Sequence, residues 1–469
     1  MLKNRRKEII EYVKSHRNFI SHNAEVLDIY EGNLLHYVAK CMQESLSPNY
    51  FQAIKDRILP INVLKRYVDK VSTTYSKPPT REAVAQEFID YYVEKFDLNV
   101  SGGIADTYSN LAKGYAWEPY IDNKGMPALR ELSFDRFLVM SDSKVSPEME
   151  TVFIKFMGHK NSSEDSLLLH VYTDTEFDAF YMNEETATEY LLENQGVNVI
   201  GRIPFIYGKR QKNRLIPVVD SDILSFAKAI PIMLSDAAGA QTFQCFSILW
   251  AIDVDLKDMK ISPNAIWELK SDKNSDKNPQ VGTVKPEADT DKVVSFVVNM
   301  FVLWLETKGV RVGSIGSIDA GNIASGISKI IDEMDVWEIK KKSQKWFKKD
   351  EEELLNELMP LMQKYWIESG MVDPKDLPAS VDNPECVVTF DEPEPMLSRA
   401  DELANVEKEL DLGTMTLEQA IWKLHPDYTE EQVNEIVGIM EAKEPPTDGA
   451  TLDLDANQDS NTQDDQTQR

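Results

Sequence analysis

The sequence is short of cysteine, lacks the common nucleotide-binding and hydrolase signatures, has no long apolar run and carries no excess of positive charge. Its three cysteines, Cys41, Cys245 and Cys386, stand more than 100 residues apart. So sparse and odd a set excludes a disulfide framework and fits a reducing compartment, with the thiols acting as small buried hydrophobes. No GxxxxGK[ST], GxSxG or HExxH occurs, and His16, His22, His36, His159, His170 and His425 have no metal-ligand spacing. No catalytic residue, metal or cofactor is therefore expected. The stretches poorest in charge are 229–252, interrupted by Pro231 and Asp236, and 293–305, which is too short to span a bilayer. In the opening MLKNRRKEIIEYVK, Glu8 and Glu11 interrupt the apolar run, so no secretory signal is expected. Lysine plus arginine number 51 against 79 aspartate plus glutamate, a formal charge of −28. That balance excludes wrapping nucleic acid through many phosphate contacts.

The patterning present is that of an α+β protein. Residues 1–100 place apolar side chains at helical spacing, as in Ile9, Tyr12, Val13 and again in Val63, Leu64, Tyr67, Val68, Val71. That second run is expected to stop at Lys77-Pro78-Pro79 and to be followed by a helix over 81–96. From Gly114 to about residue 208, short runs rich in aromatic and β-branched residues predict strands, with a hairpin turn at Asn123-Lys124-Gly125. Helix signals return over 221–252, with Pro231 marking a kink or break. The polar stretch 253–289 reads as an insertion between helices. Residues 291–308 are apolar on nearly every side, so Val294, Val297, Phe301 and Trp304 predict a helix covered on most of its surface, in part by a neighbouring subunit. Five glycines fall within 309–326, a flexible loop or a plain connector. A long helix then runs over 324–365, with a kink or change of partner expected across KKKSQK. The short strand CVVTF, three further helices and an acidic tail from 444 complete the pattern.

Two clusters bear on chemistry. The acid pairs Asp253/Asp255, with Asp258 nearby, and Asp453/Asp455 are candidate metal carboxylates, weighed against a solvated acidic face. Lys340, Lys341, Lys342, Lys345, Lys348 and Lys349 form a candidate DNA-facing cluster. The alternative is a solvated face that pairs with the following acids 350–353, as in Lys348 with Glu352.

Taken in order, the segments EVLDIYEGN, NVLKRYVDKVSTTYSKPP, GRIPFIYGKRQKNRLIPVVDSDILSFAKAIPIMLSDAAGAQ, ASGISKIIDEMDVWEIKKKSQKWFKKDEEELLNELM and LGTMTLEQAIWKLHPDYTEEQVNEIVGIMEAKE resemble the portal proteins of tailed double-stranded DNA bacteriophages. Ser325, Gly326, Ser328 and Lys329 match the family's Ser-Gly-x-Ala/Ser-Lys helix start. The resemblance covers roughly residues 20–443. It implies a mixed α/β wing (1–220), a first stem helix (221–252), a small clip (253–289) and a second stem helix (290–308). A tunnel loop (309–323), the wing's long kinked helix and following strand (324–395), a helical crown (396–443) and the tail (444–469) would follow.

The resemblance also implies a function. Twelve copies would form a ring at one capsid vertex, through which double-stranded DNA is packaged and ejected. Partners would be the terminase large subunit, a head-tail adaptor, and the major capsid and scaffolding proteins, in the virion and, during assembly, in the bacterial host cytoplasm. Tunnel-loop residues facing DNA would be Val310, Arg311, Val312, Ser314, Ile315, Ser317, Ile318, Asp319 and Asn322. Lys270, Asp272, Lys273, Asp276, Lys277 and Lys285 of the clip would face motor and adaptor. An acidic channel wall would leave DNA free to slide. The competing readings are another neck or connector ring, or a DNA-processing component of the packaging machinery.

Overall fold

Apolar residues every three or four positions fold the opening of the chain into α1 (Arg6–Ser15), which buries Ile9, Ile10 and Val13, and α2 (Arg17–Asp28). The computed structural model describes residues 2–159, 166–183, 189–218, 220–245, 248–252, 280–284, 290–310, 326–391, 399–425, 428 and 430–441. They form a mixed helix-and-sheet chain in two units, Met1–Glu394 and Pro395–Arg469.

After α2 the chain kinks within Ile29–Asn33, where Gly32 leaves helical geometry with φ 123°, a value that favours glycine. Next come α3 (Leu34–Ser45), α4 (Pro48–Ile54) and α5 (Val63–Val71). Asn62 caps α5 by accepting from the Lys65 N–H at 2.9 Å. This helix stops at Val71, ahead of the prolines expected to end it. Arg81, expected to open a helix, instead lies in strand β1 (Thr80–Glu82), and α6 (Gln86–Lys95) and α7 (Leu98–Ala112) follow.

The β-rich stretch contains β2 (Gly114–Ile121), β3 (Pro127–Leu132), β4 (Phe137–Met140), β5 (Val152–His159), β6 (Ser166–Tyr172), β7 (Glu176–Asn183), β8 (Glu189–Val197) and β9 (Ile206–Lys209). They build two antiparallel sheets, β3-β2-β9 and β4-β5-β6-β7-β8. The β2–β3 turn is the expected one: Gly125 has φ 78°, and Asp122 accepts from the Lys124 and Met126 N–H groups. Period-two alternation buries both faces of the five-stranded sheet. Leu138, Met140, Val152 and Ile154 pack under α1, while Phe137, Val139 and Phe153 join Phe205 and Tyr207 on the other side. Arg6 of α1 is buried and clamps Asp178 of β7 through two bonds of 2.7 Å.

Helix α8 (Ser221–Cys245) runs through Pro231 without interruption. The expected helix over 221–252 ends early, because Ile248–Ile252 is strand β10, paired with β11 (Gln280–Val284). A β-branched, aromatic run with a strand partner outweighs helical continuation. Helix α9 (Thr290–Thr307) and the long α10 (Gly326–Glu353) follow. α10 stays helical through the lysine run, and the change of partner expected there occurs: Val336 and Ile339 before it pack with α3 and α5, whereas Phe347 after it packs with α6 and α11. The irregularity is a π turn at Leu354–Leu358, before α11 (Met359–Glu368). Pro360 supplies no N–H to the Asn356 carbonyl and its ring crowds it, which a widened turn relieves. The Asn356 side chain ties this turn to Cys386, donating to its carbonyl at 2.8 Å and accepting from its N–H at 2.7 Å. Strand β12 (Val387–Thr389) then pairs antiparallel with β1.

In the second unit, α12 (Arg399–Asp411), α13 (Leu417–Leu424) and α14 (Glu430–Glu441) form the three expected helices. Thr416 and Gln419 make a reciprocal capping box at the start of α13. Among the described residues no helix is long and apolar enough to cross a membrane.

Candidate functional site

Two places stand out: the α8–α9 pair and the surface and interior of α10. The α8–α9 pair is antiparallel, since the first turn of α8 meets the last turn of α9. Trp304 donates its indole N–H to Asp222 at 2.7 Å, and the Lys308 ammonium reaches Asp220 at 3.0 Å and Asp222 at 2.9 Å. Acids at a helix start facing a lysine at a helix end also suit both helix dipoles. Two salt partners, Lys113 and Lys308, hold Asp220 below the usual carboxylate range against the opposing effect of its burial. Strands β10 and β11 close the far end of the pair as an antiparallel ribbon, with Ile252 opposite Gln280.

Of the four residues expected at a subunit interface, three turn inward. Val297 and Trp304 are buried, Val297 with Val63 and Ile230, and Trp304 beside Tyr67 and Phe226; Phe301 is half-buried in the same clusters. The cover expected from a neighbour is supplied here by the chain itself, because Trp304 needs a buried partner for its N–H and finds Asp222. Val294 alone of the four is exposed. Val293, Phe296 and Leu303 of α9 are exposed as well, at 39% to 63%.

Val310, expected in a loop facing DNA, is fully buried within the chain. Gly309 at φ 72° ends α9, with the Gly309 N–H donating to the Glu306 carbonyl and the Val310 N–H to the Leu305 carbonyl. This reversal turns Val310 into the helical core. Arg311, Val312, Ser314, Ile315, Ser317, Ile318, Asp319 and Asn322 lie outside the described residues. So do the clip residues Lys270, Asp272, Lys273, Asp276, Lys277 and Lys285, and the acid pairs at 253–258 and 453–455. Among the described residues no three acids, histidines or cysteines are grouped to hold a metal.

The six lysines of α10 divide. Lys340 is half-buried, its ammonium donating to the Ser76 hydroxyl at 2.7 Å; burial pushes its pKa down. Lys342 pairs with Glu338 and Lys348 with Glu352, both at 3.7 Å and one turn apart. Lys341, Lys345 and Lys349 are exposed. Of the acids that follow, Asp350 and Glu351 are buried. Glu351 accepts from the Arg81 guanidinium at 2.7 Å and 3.1 Å and from the Tyr75 hydroxyl. Asp350 accepts from the Tyr115 hydroxyl at 2.9 Å, and burial pushes its pKa up to about 7. Nothing in the local sequence marks these two acids, because their partners come from β1, β2 and the loop after α5.

No protein-family model matches the chain, and no curated protein is found to be related to it.

Proposed function

We propose that the chain is a phage portal protein: a ring-forming, non-enzymatic channel for double-stranded DNA. On this reading residues 1–220 and 324–395 form the wing, α8 and α9 the stem, residues 253–289 with their flanking ribbon the clip, and 396–443 the crown. The terminase large subunit would dock first and a head-tail adaptor later, with capsid and scaffolding proteins around the ring.

One observation carries the reading. An antiparallel helix pair, closed at its far end by a two-stranded ribbon, keeps Val293, Val294, Phe296 and Leu303 exposed on α9. Isolated exposed apolar residues are common, but four on one helix fit a surface that a second copy covers. The charge of −28 supports a channel wall that does not grip a polyanion.

The test is the mass of the purified protein by native mass spectrometry, followed by particle imaging. Twelve copies of the 53.5 kDa chain give about 640 kDa, with a central hole. A species that stays monomeric at all concentrations would overturn the proposal.

A further inference from the structure

We infer that the cleft between α11 and the 198–205 turn after β8 docks a proline-bearing, extended segment of a partner protein. The inference goes beyond the ring proposed above and does not depend on it.

The cleft measures about 250 Å³ and is walled by Tyr172, Phe177 and Phe205 and by Met362 and Tyr365 of α11. Tyr172 lies 4.8 Å from Phe177 and, edge-on, 5.1 Å from Phe205 between ring centres. The walls are held in place before any guest arrives. Asn198 is buried, donates from its side chain to the Thr173 and Arg202 carbonyls, both at 2.7 Å, and accepts from the Ile200 N–H at 3.2 Å. Arg202 then ties the turn to Glu353 at 2.8 Å and Glu357 at 3.0 Å, on the helical stretch that leads into α11. A loop fixed this way has little ordering entropy left to lose on binding. Yet Val197 and Val199, at the rim, stay 76% and 69% exposed.

Three features select the guest. Size comes first: small-molecule sites run to about 300–1,000 Å³ and enclose most of their ligand, whereas this cleft is smaller and leaves two apolar rim residues that only a longer chain would cover. Hydrogen bonding comes second. Among the described residues neither the Tyr172 nor the Tyr365 hydroxyl has a hydrogen-bond partner. Glu118, the one carboxylate among the described lining residues, is already taken by Lys155 at 2.6 Å and Arg130 at 3.2 Å. Burial and the neighbouring Glu118 push the Tyr172 pKa up, so its phenol stays a donor at neutral pH. The cleft therefore offers donors to carbonyls and no free carboxylate or amide acceptor to N–H groups. That matches a chain whose prolines lack the N–H and whose extended backbone leaves its carbonyls unbonded, and aromatic walls suit the proline ring. Charge comes third. Two cations stand against one anion at Glu118, so the site does not draw in a cationic side chain although the whole chain carries −28.

The test screens the full-length chain against an array of short peptides carrying Pro-Pro or Pro-x-x-Pro, each beside a copy with its prolines replaced by alanine. The Kd of the strongest binder is then measured by fluorescence polarisation. Two variants accompany the wild type: Val199→Asp, which puts a charge on the exposed rim, and Y172F/Y365F, which keeps the rings and removes the hydroxyls. Expected are peptides bound in preference to their alanine copies, with a Kd at least about tenfold higher for Val199→Asp and about fivefold higher for Y172F/Y365F. Because Val199 is exposed, its variant should melt at the wild-type temperature, which separates a lost contact from a lost fold. An array in which no peptide is preferred over its alanine copy overturns the inference. So does a preference that both variants leave unchanged, which would place the site elsewhere. Binding of free indole in the cleft without any peptide preference overturns it too, by assigning the cleft to small molecules. None of these outcomes alters the oligomeric mass that tests the ring.

Discussion

Residues 340–349 and 350–351 are consecutive in one helix and end in opposite surroundings. The lysine stretch keeps Lys341, Lys345 and Lys349 in solvent, whereas the next two residues bury carboxylates in the core around Phe347 and Leu354. The difference lies in the partners. Tyr75, Arg81 and Tyr115 bring donors that replace water around Asp350 and Glu351, and no carboxylate among the described residues pairs with Lys345 or Lys349. Charge in a sequence therefore marks solvent only where the fold supplies no alternative shell of hydrogen bonds.

The sharpest way to break the contrast is Glu351→Ala, which leaves the Arg81 guanidinium without its carboxylate partner and with only the Asn99 side chain described as accepting from it. A loss of about 3–5 kcal/mol is expected, read as a lower urea midpoint by tryptophan fluorescence. Asp350→Asn should act through pH. The native carboxyl, at about 7, holds a proton that the unfolded chain releases near 4, so wild-type stability falls as pH rises from about 4 through 7. The Asn variant lacks this contribution, and its melting temperature relative to wild type should therefore climb across that window; a constant difference would contradict a buried, protonated Asp350. Tyr115→Phe removes the only hydrogen bond described to Asp350 and should cost about 1–2 kcal/mol at pH 8. At the other extreme, Lys345→Gln should change monomer stability by less than about 0.5 kcal/mol, measured by the same denaturation.

The elements with strong periodicity were legible in the sequence. The helices of the opening, the β-rich stretch, the Asn123-Lys124-Gly125 turn and the three C-terminal helices all follow from local pattern and turn chemistry. What local pattern missed was set by distant partners. Ile248–Ile252 became a strand because 280–284 pairs with it, and Arg81 entered β1 because Val388 lies opposite. The same holds for the candidate site. The apolar character of α9 was readable, but which of its sides faces the chain depended on Asp222 and Phe226, which lie on α8. Lys348 with Glu352 was readable from spacing alone, because both partners share one helix.

The clamp between Arg6 and Asp178 joins positions 172 residues apart, and Tyr75 meets Glu351 across 276. At roughly 5–20 residues per second of synthesis, α1 waits on the order of ten seconds or more for the strand it covers, and Tyr75 waits longer still. The first hundred residues thus emerge from the ribosome with apolar helix faces whose final cover has not yet been made. A nascent chain stalled before residue 351 should be far more protease-sensitive than one released whole, and slowing translation between 180 and 351 should favour aggregation over yield.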